Sequence, residues 1–252
     1  MASPWAAKRQ FMYVSGILGF FVLVIGIPAF ILLYKSPTCF DGKQNQGEEG
    51  IDCGGTCVAL CPVGFVRPTI LFSRYSKVAN GVYNLLAYID NPNMLGSTMD
   101  TGYIFHVYDK DGMLLGERTG TISIPAGRKI AIFEPSFQTT VREPKNILFE
   151  LDGDIRWTRP NGDPLFSVSN ITVDDSGFYS RVNADITNKS EQTDRNVEVI
   201  AIVYDTDGNA RMFSRTYLDE VPGLASTPVS FTWPEKFSET PARIDVVVRH
   251  LQ

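Results

Sequence analysis

The sequence predicts an all-β protein in which two tandem β-sandwich domains follow a single N-terminal transmembrane α-helix. Three observations predict this architecture: an apolar run without a charged side chain at residues 11–34, four cysteines in the short window after it, and a remainder that repeats itself at a spacing of 96 positions. The composition, 44% hydrophobic and 20% charged, is typical of a folded chain, because disordered chains carry fewer apolar residues.

The apolar run is long enough to cross a membrane. A helix rises about 1.5 Å per residue, so residues 11–34 would extend roughly 36 Å and exceed a hydrocarbon core of about 30 Å. A cleaved signal peptide is the alternative, but its apolar region is usually only about 7 to 15 residues long and ends in a small-x-small site. We therefore predict an uncleaved signal anchor at residues 11–34 that follows a cytoplasmic stub at residues 1–10.

The charges that flank the run predict its orientation. Lys8 and Arg9 precede it, whereas Lys35 and then several acidic residues follow it. Positive residues are retained on the cytoplasmic side, so the N-terminus should be cytoplasmic and everything after Lys35 should be extracytoplasmic. The expected location is the cell (plasma) membrane, crossed once.

A cysteine-rich collar is predicted at residues 35–62. Its cysteines are Cys39, Cys53, Cys57 and Cys61, and the chain has four in total. An even number in a short Gly-rich segment outside a membrane predicts two disulfides, with three pairings left open. The alternative is a zinc or iron–sulfur site, but the spacing C-x13-C-x3-C-x3-C lacks the usual C-x2-C pairs.

The collar also carries oxygen-bearing side chains that could gather around Ca²⁺. These are Asp41, Asn45, Glu48 and Asp52, which are calcium-ligand types but do not have the EF-hand spacing. Asp, Asn and Gly also form turns, and we favour this second interpretation. The sequence therefore predicts no required cofactor, with Ca²⁺ as the alternative.

The collar resembles a cysteine-rich motif of bacterial cell-surface and secreted proteins, written C-x-DG-x-x-N-x-x-E followed by DCGG-x-C. The matching residues run from Cys39 to Glu48 and from Asp52 to Cys61. The resemblance implies a surface location and no catalytic activity.

The rest of the chain consists of two copies of one unit. Gly81 matches Gly177, and residues 107–112 match residues 203–208, both at a spacing of 96 positions. A repeat of about 95 residues is the size of a domain rather than of a solenoid unit. We predict β-sandwich domains at residues 63–151 and 165–252. A short linker at residues 152–164 has turn chemistry, so the two domains should form a rod.

Each unit contains short runs rich in β-branched and aromatic residues, as at residues 83–89, 103–108 and 198–204. Six or seven such strands in about 90 residues indicate an immunoglobulin-like sandwich. Residues 183–188, 203–208 and 221–223 are similar to the FxLYD and late-embryogenesis-abundant type 2 (LEA type 2) modules, as are residues 87–92 and 107–109 of the first copy. The resemblance implies a surface or envelope module rather than an enzyme.

No catalytic residues are predicted. The two histidines, His106 in a strand and His250 near the end of the chain, have no evident partner. The motifs of serine hydrolases, P-loop proteins, zinc proteases and dinucleotide-binding proteins are missing from the sequence. The repeated Asp109-x-Asp111-Gly112 and Asp205-x-Asp207-Gly208 match a tight hairpin turn, which we favour over a calcium site or a carboxylate pair.

These observations predict a class of function and its partners. A formal net charge of −5, with scattered cations, argues against nucleic-acid binding. We expect a non-enzymatic, single-pass cell-surface protein whose tandem sandwiches act as an interaction, adhesion or structural module. Its partners would be the bilayer and an envelope or extracellular protein or glycan. The alternative is a subunit of a secretion-type or pilus-type membrane machine that contacts partners through its transmembrane helix.

Overall fold

The computed structural model describes residues 4–34, 38–140, 142–160, 162 and 165–251. The chain divides into two compact units, Met1–Cys57 with the helix and most of the collar, and Val58–Gln252 with the strands. Strands make up 51% of the chain and helices 11%. The predicted all-β class after one N-terminal apolar helix is therefore confirmed.

The N-terminal helix contains a π-helical segment in its middle. Helix α1 (Pro4–Phe21) passes through this segment (Val22–Gly26) into helix α2 (Ile27–Leu33). Pro28, two residues past the segment, has no N–H, and its ring would meet the carbonyl four residues back in a regular α-helix. The Ile27 N–H instead donates to the Val22 carbonyl, five residues back, which widens the turn before the proline.

The second unit holds fourteen strands within the described residues. Their bounds are β1 (Ala59–Leu60), β2 (Thr69–Ala79), β3 (Val82–Asp90), β4 (Ser97–Tyr108), β5 (Leu114–Ile124), β6 (Lys129–Gln138), β7 (Asn146–Asp152), β8 (Trp157–Thr158), β9 (Phe166–Asp174), β10 (Arg181–Asn188), β11 (Asp194–Tyr204), β12 (Ala210–Val221), β13 (Ser226–Thr232) and β14 (Arg243–His250).

These strands form two sandwiches with the same connectivity. Sandwich 1 contains sheet 1A, in the order β2-β3-β6, and sheet 1B, in which β4 lies between β5 and β7. Sandwich 2 contains sheet 2A, in the order β13-β10-β9, and sheet 2B, in the order β12-β11-β14. Each of the strands β2 to β7 therefore has its counterpart in β9 to β14, so the repeat in sequence is a repeat in topology.

Each sandwich has its own apolar core between its two sheets. In sandwich 1, Leu85 and Ile132 of sheet 1A pack against Phe105 and Phe149 of sheet 1B. In sandwich 2, a corresponding cluster lies between sheets 2A and 2B and includes Val182, Ile186, Val199 and Val203. Alternate residues of each strand supply these cores, since successive side chains point to opposite faces of a sheet.

A third apolar core joins the two sandwiches face to face. Leu86 and Phe133 of sheet 1A pack against Ile200, Ile202 and Phe213 of sheet 2B. The four sheets are thus layered in the order 1B, 1A, 2B and 2A. The expected rod joined by a linker is wrong, because the central strands β3 and β11 bury apolar side chains on both of their faces.

The predicted linker at residues 152–164 contains a short strand of sandwich 1. In this segment β8 pairs with β4 and with β1. Trp157 is buried and stacks on Phe65, with ring centroids 4.8 Å apart. The tryptophan therefore closes the end of sandwich 1.

Candidate functional site

The N-terminal helix has the length and composition of a membrane span. The stretch Lys8–Ile31 contains 24 residues, has a mean hydropathy of 2.5 and is not buried inside the protein. Of the residues that predict its orientation, Arg9 lies over the ring of Trp5 with its guanidinium carbon 4.1 Å from the ring centroid, and Lys8 is exposed. Lys35 lies outside the described residues.

The collar cysteines form two interleaved disulfides. Cys39 is bonded to Cys57, and Cys53 is bonded to Cys61, so one of the three open pairings is selected. No described cysteine is free. The predicted disulfides are therefore confirmed.

Two glycines let the collar chain pass very close to itself. Gly54 and Gly55 both have positive φ, and a Cβ on Gly55 would lie 1.9 Å from the carbonyl oxygen of Gly47. Only glycine fits such an approach. The DCGG sequence therefore has a steric explanation in the folding of the collar.

The four proposed calcium ligands lie in one loop, and the carboxylates of Asp41, Glu48 and Asp52 already accept hydrogen bonds, whereas the buried Asn45 Oδ1 has no hydrogen-bond partner among the described residues. One Asp52 carboxylate oxygen accepts from the backbone N–H groups of Asp41 and Gly42, at 3.0 and 3.1 Å. Asp41 accepts from the amide of Asn45 at 3.0 Å. The buried Glu48 carboxylate accepts from the Asn45 backbone N–H at 3.2 Å. These bonds are turn chemistry and account for the three carboxylates without a bound ion.

One group of candidate metal ligands, Cys39, Glu48 and Cys57, lies close together among the described residues. Its two sulfurs are bonded to each other, so neither can be the thiolate that a metal requires. Glu48 Oε1 lies 3.1 Å from Cys57 Sγ, a contact without a proton. This cluster therefore does not fit a metal.

The two Asp-Gly turns are closed by buried aspartates. Asp109 accepts from the backbone N–H groups of Asp111 and Met113, at 2.8 and 2.9 Å, and pairs with Arg142. The Arg142 hydrogen bond is the main cause that holds the pKa of Asp109 below its usual value. Both carboxylate oxygens are thus used by the protein.

Asp205 repeats this arrangement in sandwich 2. It accepts from the N–H groups of Asp207 and Asn209, at 3.0 and 2.8 Å, and from Arg211 Nε at 2.5 Å. Its pKa is lowered, first by the Asn209 backbone N–H and also by Arg211. Closing the turn is therefore a sufficient explanation for Asp109 and for Asp205.

Both histidines have carboxylate neighbours that lie far away in the sequence. His106 lies on the outer face of sheet 1B, with Nδ1 2.7 Å from Glu117 Oε1 and Nε2 3.5 Å from Glu150 Oε2. The two carboxylates contact opposite edges of the ring, so this trio does not converge on one metal position. His250 Nδ1 lies 2.7 Å from Asp194 Oδ1. Register across strands creates these pairs, which linear spacing does not reveal.

One cleft of about 260 Å³ lies where the two sandwiches meet. Residues from the starts of β4, β6 and β9 and the ends of β5 and β14 line it. Its polar lining includes Ser97, Thr98, Asp100, Ser123, Arg128, Lys129, Thr158, Arg249 and His250. Sequence reasoning missed this site because its residues are spread over some 150 positions and form no local motif.

A buried ion cluster supports one wall of the cleft. Glu198 is 2% exposed and pairs with Arg249 and with Arg215, whose guanidinium lies 3.2 Å from Glu198 Oε1. Arg215 also donates to the backbone carbonyl of Phe133 at 3.1 Å. Sheet 2B is therefore held to sheet 1A by a polar contact beside the apolar one.

No protein-family model matches this chain, and no curated protein sequence matches it. The resemblances to DCGG-type, FxLYD and LEA type 2 proteins, and the immunoglobulin-like assignment, therefore stay predictions.

Proposed function

We propose that this protein is a single-pass, membrane-anchored extracytoplasmic interaction module without enzymatic activity. The observation that carries the proposal is a disulfide-bonded collar whose first bonded cysteine, Cys39, lies six residues after Leu33, the last residue of an apolar helix. Disulfides persist in oxidising compartments outside the cytosol. The collar and the positive residues Lys8 and Arg9 support the same orientation by independent physical arguments.

The layered sheets support a role in presenting a binding surface. The apolar core between sheets 1A and 2B and the Glu198 ion cluster fix the two sandwiches against each other. A body without a free hinge loses little conformational entropy when it binds, which favours recognition by a preformed surface. Its partner would be an envelope or extracellular protein or glycan.

Cysteine labelling in whole cells tests the orientation. Thr206 lies exposed in the turn before β12, and Thr206→Cys should react with a membrane-impermeant maleimide. The matched control, Ser3→Cys in the stub, should react only after permeabilisation. The opposite pattern would overturn the orientation.

Crosslinking tests the interaction role. A photocrosslinker placed on the exposed faces of the full-length protein in its own membrane should capture the same envelope or extracellular component in repeated experiments. If no component is enriched over a deletion strain and the deletion leaves surface assembly unchanged, the interaction role is lost.

A second function, a subunit of a membrane machine, is supported by the π-helical segment Val22–Gly26. Such segments often occur at functional positions within helices. Replacing residues 11–34 by an unrelated apolar span tests it. Loss of function with normal surface exposure supports the machine subunit, whereas full function supports the interaction module.

A further inference from the structure

The cleft between the sandwiches concentrates positive charge on a chain that is acidic overall. Its lining side chains include the cations Arg128, Lys129 and Arg249, against one carboxylate, Asp100. The whole chain has a formal net charge of −5. Cations gathered in a concave site attract anions more strongly than the same charges spread over a surface.

Lys129 is available to a ligand. Among the described residues it takes part in no ion pair, and it is exposed at the start of β6. An ammonium group has three donors and moves on a flexible stem. It can therefore turn toward an anion without breaking an existing contact.

Arg249 has hydrogen-bonding capacity that the protein does not use. One terminal nitrogen pairs with Glu198, a carboxylate that Arg215 already contacts. The Arg249 Nε–H is buried and has no acceptor among the described residues. Buried donors without a partner are rare in folded proteins, and this one belongs to a side chain that lines the cleft.

The hydroxyl groups that line the cleft and the volume of the cleft indicate which class of ligand it can bind. Ser97, Thr98 and Ser123 line the cleft beside the cations, and hydroxyls donate readily to charged oxygens. The hydroxyl of Thr158, which also lines the cleft, donates instead to the backbone carbonyl of Ser97 at 3.5 Å. The volume of about 260 Å³ lies below the range of roughly 300–1,000 Å³ that is typical of sites for drug-sized ligands. The cleft therefore suits a single small group.

We propose that this cleft binds a small oxyanion, a carboxylate, sulfate or phosphate group, through Lys129, Arg249 and the neighbouring hydroxyls. The proposal rests on the interaction module proposed above and names the chemistry that the module recognises. The same group is supplied by a free inorganic anion or by an acidic sugar of a glycan. Since residues of both sandwiches line the cleft, the ligand also bridges them and stabilises their junction.

The first test uses the full-length protein in phosphatidylcholine nanodiscs, whose lipids carry no net charge. Sodium sulfate, phosphate and glucuronate are titrated while the thermal midpoint is followed, since a ligand of the folded state raises it. Glucose and sodium chloride of equal ionic strength are the controls. A saturable rise with an oxyanion supports the proposal; tighter glucuronate binding indicates an acidic sugar, and tighter binding of sulfate or phosphate indicates an inorganic anion. No saturable rise, or an equal response to glucose, overturns it.

The second test compares two exposed lysines. Lys129→Glu should weaken oxyanion binding by about tenfold, the effect of a lost charged hydrogen bond. Lys110→Glu, whose side chain is 82% exposed in the β4–β5 turn, should leave binding almost unchanged. Equal effects of the two variants would overturn the proposal. Lys129→Gln, which adds no negative charge, replaces Lys129→Glu if that variant does not fold.

Failure of this proposal can be told apart from failure of the proposed function. If oxyanions cause no saturable rise in the thermal midpoint but Thr206→Cys is labelled from outside the cell, the proposed oxyanion site is refuted and the proposed anchored module stands. If Thr206→Cys is labelled only after permeabilisation, the extracytoplasmic module itself is lost.

Discussion

The two sandwiches share one topology but use opposite sheets at their junction. Sandwich 1 contributes sheet 1A, and sandwich 2 contributes sheet 2B, which is the counterpart of sheet 1B. The contact is therefore heterologous, and an arrangement of this kind could in principle continue into a filament. The side chains on the two remaining outer faces explain why further copies do not add to the stack.

The outer face of sheet 1B is polar where the matching face of sheet 2B is apolar. His106 and Glu117 are paired across β4 and β5, and Ile202 and Phe213 are paired at the equivalent positions of β11 and β12. Ile202 and Phe213 are buried at the junction, whereas the side chain of Glu117 is 46% exposed. The same fold thus offers an interface in one copy and a solvated surface in the other.

The outer face of sheet 2A, at the opposite end of the stack, is likewise polar where the matching face of sheet 1A is apolar. Leu86 and Tyr88 point out of β3 into the junction, and the equivalent residues of β10 are Asn183 and Asp185, which face outward on alternate positions. A charged or amide side chain at these positions costs much more to bury than an apolar one. Both free ends of the stack are therefore unsuited to bind a further copy in the same way.

The largest expected effect comes from placing a residue type of the outer face of sandwich 1 at the equivalent junction position of sandwich 2. Phe213→Glu puts the sandwich 1 residue type into the buried junction and should lower the free energy of unfolding by at least about 4 kcal/mol, because it removes a buried ring and buries a charge. Urea unfolding of the full-length protein measures it.

The reciprocal variant, Glu117→Phe, is the matched control. It adds an apolar side chain to an exposed face and should change stability little while promoting self-association, which sedimentation velocity would detect. Similar stability losses in both variants would show that the junction face and the outer face do not differ as the contacts imply.

A buried asparagine that occupies the same place in both sandwiches predicts a second, smaller effect. Asn91 and Asn188 are fully buried at the ends of β3 and β10. Each amide donates to two backbone carbonyls, those of Gly96 and Pro125 in one case and of Gln192 and Val221 in the other, at 2.8 to 3.0 Å. Asn188 is part of an N-glycosylation pattern, but its amide is occupied by these bonds.

Alanine at either asparagine should cost about 2 to 3 kcal/mol, since two buried carbonyls lose their donor. Chemical denaturation of Asn91→Ala and Asn188→Ala measures each loss. The two values should agree within about 1 kcal/mol, because the local contacts are alike. A large loss in one sandwich alone would contradict their equivalence.

The paired sandwiches were predictable because their local signals agree. The Asp-Gly turns and the β-branched runs mark the same strands in both copies, and the cysteine window marked the disulfides. The pairing of Cys39 with Cys57 was open because loop closure differs little between the alternatives. The junction had one usable signal: residues 85–89 and 199–204 are apolar without alternation, which is typical of strands buried on both faces.

The cleft could not be predicted in the same way. Lys129 and Arg249 belong to different sandwiches and line one cleft only because sheet 1A packs on sheet 2B. His106 and its carboxylates likewise depend on strand register. Contacts of this kind form only in the tertiary structure, whereas turns and strands follow from the local sequence.

The Asp-Gly turns predict a pH dependence that both sandwiches share. The folded pKa values of Asp109 and Asp205 lie below the usual 3.8, so their contribution is present above the unfolded value and is lost as the pH falls through the folded one. The protein should therefore be less stable at pH 3 than at pH 7. The effect is smaller than that of a core variant because Arg142 and Arg211 are partly exposed.

Denaturation at the two pH values tests this prediction. Asp109→Asn combined with Asp205→Asn should reduce the difference between pH 7 and pH 3. The control, Asp207→Asn, changes an exposed carboxylate of the same turn and should keep the wild-type difference. If the control reduces it as much as the double variant, the buried aspartates are not the source.

The smallest expected effect concerns the pair of His106 and Glu117, which occupies the positions of the junction contact. Glu117→Gln removes the partner of His106 Nδ1 on an exposed face, where ion pairs contribute about 0 to 1 kcal/mol. Its unfolding free energy at pH 7 should lie within about 0.5 kcal/mol of the wild type, far from the value for Phe213→Glu. A loss above 2 kcal/mol would mean that the outer face of sheet 1B is covered in the folded protein, and the polar side chains would then form a second interface rather than the solvated end of the stack.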